Sequence, residues 1–214
     1  MPATTVKAEP AQSFLLHGIS WKVYDALVNE LAEQHVFMTY DRGDLEFMSP
    51  LPKHEYYKNV FHDWIRVLGE EWGMDVRSGG NTTFRRKDLE RGLEPDDCFW
   101  IAKAAAIRGK IDLDLSVDPP PDLAVEIETT SKLLERESIY AALGVPELWR
   151  YDGQTLRVFV LGPDGKYRLS DKSLSFPKLP LEEFQAYLHQ PAGMPELEWL
   201  KSFRQWARSR IKRK

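Results

Sequence analysis

Two hydrophobic periods alternate along this chain. A spacing of three and four marks helices, and strict alternation marks half-buried strands. Residues 21–34 carry Val23, Leu27 and Leu31 at helical spacing behind a possible Ser20 cap. Residues 36–40 and 45–48 read as two strands joined by the turn Asp41-Arg42-Gly43-Asp44, and Ser49-Pro50-Leu51-Pro52 ends the hairpin. The longest helix is predicted over 53–72. There His54, Tyr57, Phe61, Trp64, Ile65, Leu68 and Trp72 form one stripe, and Gly73 stops it. Short strands are expected over 76–80 and 82–86, then a turn-rich link over 91–95 and a strand from Asp96 to Ile101. A connector of mixed character over 103–121 follows. Beyond it come a helix from Thr130 or Ser131 to Leu143, closed by Gly144 and Pro146, and strands over 147–151 and 156–161. A short strand near 167–169 and helices over 181–188 and 197–211 complete the pattern. Residues 1–13 are polar and pattern-free and are expected to be loose.

One stretch breaks the ordinary use of alternation. In Pro-Asp-Leu-Ala-Val-Glu-Ile-Glu, 121–128, Leu123, Val125 and Ile127 share one strand face, and Asp122, Ala124, Glu126 and Glu128 share the other. A row of carboxylates on a buried strand is costly unless a cation lies among them. This points to a divalent ion held by oxygen ligands. The alternative is an edge strand whose acidic face lies in water. Asp96 and Asp97 open a second strand, and Cys98 beside them reads as a small core residue rather than a nucleophile. His54, in the first turn of its helix, either packs or reaches the acidic site. On the helix after the acidic strand, Leu133, Arg136, Tyr140 and Leu143 share a face, and Arg136 is its one charge. Glu126 and Glu128 are its natural counter-charges; otherwise it snorkels to solvent.

Composition narrows the class without changing this picture. The 214 residues suffice for a single domain with a core. A single cysteine excludes an internal disulfide and a cysteine-rich zinc site. No apolar run approaches membrane-spanning length and no signal peptide is visible, so the expected compartment is the cytoplasm. The net charge of −4 conceals a basic end: residues 201–214 hold seven basic residues and no acidic ones. An acidic body with a basic tail is not coated for DNA, although the tail could contact phosphates.

Several blocks together resemble the Uma-two family of restriction endonucleases, within the PD-(D/E)xK nuclease superfamily. They are Glu94-Pro95-Asp96 ahead of a strand, Asp122-Leu-Ala-Val-Glu126 with Glu128, and the run from Ile139 through Gly144-Val-Pro-Glu-Leu-Trp149 to Asp152. Glu46-Phe-Met-Ser-Pro50, with His54 just after it, adds a fourth. The resemblance spans roughly residues 20–190. It implies an α/β, restriction-endonuclease-like three-layer fold: a central mixed sheet flanked by helices, with an N-terminal helix and hairpin. The chain then divides into a loose tail over 1–13, the nuclease-like domain over 14–190, and a basic C-terminal helix and tail over 191–214.

The resemblance also implies hydrolysis of phosphodiester bonds with Mg²⁺ or Mn²⁺. Asp96 matches the first acidic ligand and Glu126 the second, with the main-chain carbonyl of Ile127 and with Glu128 completing the site or holding a second ion. Asp122 lies on the same strand as Glu126, too close to be the separate ligand, but could bind outer-shell water. Glu46 and His54 fall at the periphery. The superfamily's lysine, two residues after the glutamate, is replaced by Glu128. The position four before Tyr140, where this family carries its lysine, holds Arg136. Arginine stays protonated and is a poor general base, whereas lysine can lose its proton. Lys132, one turn earlier, is a substitute pointing in a different direction. The expected partner is nucleic acid, DNA first, with no membrane and a possible homodimer. The competing expectation is a nuclease-fold scaffold that binds nucleic acid or protein without catalysis.

Overall fold

The computed structural model describes residues 13–32, 34, 36–129 and 132–211. Two sheets share the chain. The first is antiparallel and five-stranded. It contains β1 (Ser13–Leu16), β2 (Phe37–Asp41), β3 (Asp44–Met48), β5 (Phe84–Arg86) and β6 (Arg91–Leu93), in the order β1-β3-β2-β6-β5. The expected hairpin is its centre. Asp41 pairs with Asp44, and Arg42 and Gly43 both have positive φ, as a two-residue turn between twisted strands requires.

The helix α1 (Trp21–Glu30) covers this sheet, and Leu27 and Leu31 of the expected stripe pack against its core, half-buried. Tyr24 and Val28 are buried, while Val23 is exposed. Tyr24 stacks on Tyr40 at 4.6 Å. Tyr24 comes so close to β6 that a Cβ at Gly92 would meet its ring, 2.8 Å from Cζ. The predicted turn over 91–95 is therefore half strand, because Arg91–Leu93 pairs on both sides, with β2 and β5. β5 and the two-residue strand β4 (Arg77–Ser78) lie in different sheets, so Gly79-Gly80-Asn81 links sheets rather than closing a hairpin.

The second sheet is mixed and six-stranded. It adds β7 (Asp97–Trp100), β8 (Leu123–Ile127), β9 (Glu147–Tyr151), β10 (Leu156–Leu161) and β11 (Tyr167–Ser170), in the order β11-β10-β9-β8-β7-β4. β8 and β9 are parallel and every other pairing is antiparallel. The parallel pair needs a crossover, and α3 (Glu137–Leu143) supplies it.

The alternation along β8 separates two cores. Leu123, Val125 and Ile127 face α2 (Pro52–Trp72), α4 (Leu181–Ala186) and α5 (Glu196–Ser209). Trp64 of α2 stacks on Phe203 of α5 at 4.2 Å. On the other face Ala124 and Leu148 meet Ile139, Tyr140 and Leu143 of α3, with Phe84 and Leu93 from the first sheet. The result is a three-layer α/β fold, helices on sheet on helix, with the hairpin sheet beside α3.

Two expectations need correction. The helix after β8 starts at Glu137, not at 130 or 131, which lie outside the described residues. Glu135 accepts hydrogen bonds from the N–H groups of Glu137 (2.5 Å) and Ser138 (3.0 Å), so the helix begins on that carboxylate. The C-terminal helix is no separate basic arm. Trp199, Phe203, Trp206 and Ala207 are buried in the α2 core. Arg204 and Arg208 pair with Glu70 and Glu71 of α2, and Arg210 pairs with Glu183, so these arginines are committed within the fold. The predicted loose tail over 1–13 falls outside the described residues except for Ser13, which opens β1. Among the described residues no helix is long and apolar enough to cross a membrane.

Candidate active site

The β7–β8 ladder pairs Asp97 with Val125 and Cys98 with Ala124. One step further along the same register, Asp96 stands opposite Glu126 on the face toward α3. Asp96 is fully buried and Glu126 is 2% exposed. The main-chain N–H of Ile127 donates to Asp96 Oδ2 at 2.5 Å, locking the first carboxylate to the second strand. Two carboxylates this near would repel if left alone.

Three donors converge on Glu126. Lys132 Nζ lies against Oε2, Arg136 Nη1 donates to Oε2 at 2.9 Å, and the Tyr140 hydroxyl donates to Oε1. Lys132 Nζ also stands 3.8 Å from Asp96 Oδ2, and His54 Nε2 stands 3.0 Å from the same oxygen. Arg136 is tied a second time, through Nη2, to the carbonyl of Glu94.

The titration behaviour follows. Burial raises the Asp96 carboxyl, but Lys132, His54 and Arg136 outweigh it and hold Asp96 below the usual carboxylate range. Burial opposes the charge on Arg136, yet Glu126, Tyr140 and Asp96 keep the guanidinium above its ordinary value. Burial and then Glu126 push the Tyr140 phenol well up, so it remains a hydrogen-bond donor. Burial pulls His54 down, and Asp96 more than reverses this.

Lys132 reaches the carboxylates because its segment is not helical. Glu46 of β3 accepts the N–H groups of Leu133 (2.8 Å) and Leu134 (3.2 Å), so a buried carboxylate from the other sheet takes donors that a helix would use internally. This explains the late start of α3 and the 49% exposure of Leu133, which the spacing had placed on a packed face.

The structure brings the expected residues Asp96, Glu126, Arg136, Lys132, His54 and Glu46 to one place. It does not bring Glu128 to the acidic pair: Glu128 Oε1 accepts from Arg150 Nε at 2.7 Å, on the wall of the same cleft. Asp122 is not there either. At the opposite end of β8 its Oδ2 accepts the N–H groups of Ile101 (2.7 Å) and Lys103 (2.9 Å). Tyr140 and Arg150 were not singled out for the site. Tyr140 had the signal, four residues after Arg136 on the same face; Arg150 had only its alternation with Leu148. Cys98 is buried, and burial with the neighbouring Asp97 raises its thiol well above the usual range, as a core role requires.

The cleft of about 760 Å³ over these residues is lined by Glu126, Glu128, Glu135 and Glu137 against Lys132, Arg136 and Arg150. Among the described residues no cluster of three or more His, Cys, Asp or Glu has a metal-holding arrangement. Yet Asp96 Oδ1 is buried and has no hydrogen-bond partner among the described residues, beside a second carboxylate. Mg²⁺ commonly takes one or two carboxylates and keeps its waters. The donor set therefore fits an ion held by Asp96 and Glu126 with water.

Among curated proteins none matches this chain. Among solved structures, it is similar to one described as "a putative nuclease belonging to DUF820", from Anabaena variabilis, at 15% identity and a TM-score of 0.42. The likeness covers 79% of this chain and 90% of that one. A family model, Uma2, described as "Putative restriction endonuclease", matches residues 21–192. That span takes in the second sheet, all of the first but β1, the acidic pair and the cations that surround it, and the chain belongs to the Uma2 family.

Proposed function

We propose that this protein is a metal-dependent endonuclease hydrolysing phosphodiester bonds of nucleic acid, DNA in the first instance. Asp96 and Glu126 form its acidic pair, and Lys132 stands in for the superfamily's lysine. The observation that carries the reading is Glu126, a buried carboxylate on which Lys132, Arg136 and Tyr140 converge, across the ladder from a second buried carboxylate.

Asp96 and Glu126 would hold the ion, which when bound would polarise the scissile phosphate and lower the pKa of a bound water. The remaining work belongs to the chain. Tyr140 and Arg136 fix the orientation of Glu126, and His54 flanks Asp96. Ion entry requires the Lys132 ammonium to leave the carboxylates; its proton then passes to solvent, and the neutral amine can take a proton from the attacking water. Arg136 cannot, and its fixed charge offsets the negative charge that grows on the phosphate. The water oxygen bonds to phosphorus, the bond to the leaving sugar oxygen breaks, and that oxygen takes a proton from solvent.

A second reading has its own support. Glu126 already accepts from three donors, and no third ligand accompanies the pair among the described residues. A catalytically silent protein that binds nucleic acid or a partner would look like this. Isothermal titration with Mn²⁺ and cleavage of supercoiled plasmid distinguish the two. The nuclease reading expects Mn²⁺ binding that Asp96→Ala and Glu126→Ala abolish, and nicking that Lys132→Ala slows by roughly 10²-fold or more, the scale of general acid–base assistance. No Mn²⁺ binding by the wild type, or binding indifferent to both substitutions, establishes the silent reading.

A further inference from the structure

We infer that Arg150 receives a phosphate of the nucleic-acid substrate next to the scissile one, and that Glu128 and Glu137 hold its guanidinium in place until substrate displaces them. The inference rests on the nuclease reading of the cleft and adds a substrate contact to it.

The parallel register of β8 and β9 pairs Glu126 with Arg150, and directly paired residues on neighbouring strands project to the same face. Arg150 therefore rises beside the acidic pair. Its Nε donates to Glu128 Oε1 at 2.7 Å, its Nη1 meets Glu137 Oε1, and its guanidinium lies over Phe159, 5.5 Å from the ring centre. A planar fork gripped by carboxylates and backed by an aromatic ring is preorganised for an oxyanion, and phosphate has the same bidentate geometry.

The other two cations of the cleft are not available for this. Arg136 and Lys132 are spent on Glu126, and their side chains are only 7% and 10% exposed. Arg150, at 31%, is the cation a polyanion can reach. Four carboxylates line the cleft against three cations, so an incoming strand meets net repulsion. Displacing Glu128 and Glu137 from Arg150 is how the cleft can present an attractive group.

The test is binding of fluorescein-labelled duplex and single-stranded DNA, with Ca²⁺ replacing Mg²⁺ to prevent turnover, across a salt series. Arg150→Gln is expected to weaken binding by about tenfold or more, the scale of one charged hydrogen-bonded contact. It should also make the salt dependence shallower by about 0.7 to 0.9 in log–log slope, as one lost phosphate contact does. Glu137→Gln, which loosens the clamp, is expected to tighten binding. A merely structural brace predicts the opposite for that variant, because breaking either partner would then weaken binding. Unchanged affinity and slope in Arg150→Gln, or weakening by both variants, overturns the inference. Should the wild type cleave plasmid normally while Arg150→Gln binds like it, only this inference falls. Should the wild type bind neither DNA nor Mn²⁺, the nuclease reading falls with it.

Discussion

Replacing Glu126 with glutamine isolates the electrostatics of the site. The side chain keeps its shape and loses its charge. In the wild type two buried carboxylates face two cationic side chains, Lys132 and Arg136, with His54 as a third cation when protonated. After Glu126→Gln, Asp96 alone faces both cations, and both are at least nine-tenths buried. Relief of the Asp96–Glu126 repulsion works the other way. It is the smaller term, because each carboxylate already has a cation within 4 Å. Breaking one partner of a buried ion pair costs about 3–5 kcal/mol. Arg136 keeps its bond to the Glu94 carbonyl, so the low end applies, about 3 kcal/mol. For a chain of this size that is a fall in Tm of about 6–12 °C.

The assay is thermal and urea unfolding without metal, followed by far-UV circular dichroism. The double variant Glu126→Gln/Lys132→Met completes the argument. With the stranded ammonium replaced by an apolar chain, part of the loss should return, and the cycle gives the Lys132–Glu126 coupling directly. A single variant that melts at or above the wild-type temperature would show that carboxylate repulsion dominates and that the cations do not balance the pair.

The remaining predictions concern the two sheets. Burial pushes Glu94 up to about 7, above its ordinary value near 4.5, so the folded state binds its proton more tightly than the unfolded chain does. Stability from this group is complete below the unfolded value and is lost as pH rises through about 7, by about 3 kcal/mol in all. Urea midpoints from pH 4 to 8 should fall less with pH in Glu94→Gln than in the wild type; parallel curves would refute the assignment. Gly92→Ala should destabilise by about 1–3 kcal/mol, because the added methyl meets the buried Tyr24 ring. Tyr24→Phe should return part of that loss, since the hydroxyl is the nearest obstacle and the ring carbon stands only 2.8 Å away.

What the sequence made legible was whatever local chemistry decides. The stripe of α2 and its Gly73 stop, the two-faced β8 and the Gly144 stop of α3 were all readable, because a few adjacent residues settle each. The pairing of Arg136 with Glu126 was readable for the same reason: a lone charge on an apolar face needs a partner, and the neighbouring strand offered one. The face of α1 was read in part: Leu27 and Leu31 pack against the core, while Val23 is exposed and Tyr24, stacked on the distant Tyr40, is buried. The start of α3 was misread because Glu46, distant in sequence, takes the N–H groups of Leu133 and Leu134. Local propensity has no knowledge of either partner.

That last misreading changes how the arginine is understood. As one continuous helix, residues 132–143 would set Lys132 a full turn before Arg136 on the same face. With 132–134 pinned by Glu46, both cations arrive at the same carboxylate from different directions. They are held differently. Arg136 is fixed twice, by Glu126 and by the Glu94 carbonyl, and cannot shed its proton. Among the described residues Lys132 pairs with the two carboxylates through one flexible stem, and a lysine can shed its proton. On the nuclease reading proposed above, the duties one lysine would combine, fixing the acidic pair and exchanging a proton, are divided between Arg136 and Lys132. On that reading an arginine at the lysine's position costs no function, provided Glu46 holds the loop that delivers Lys132.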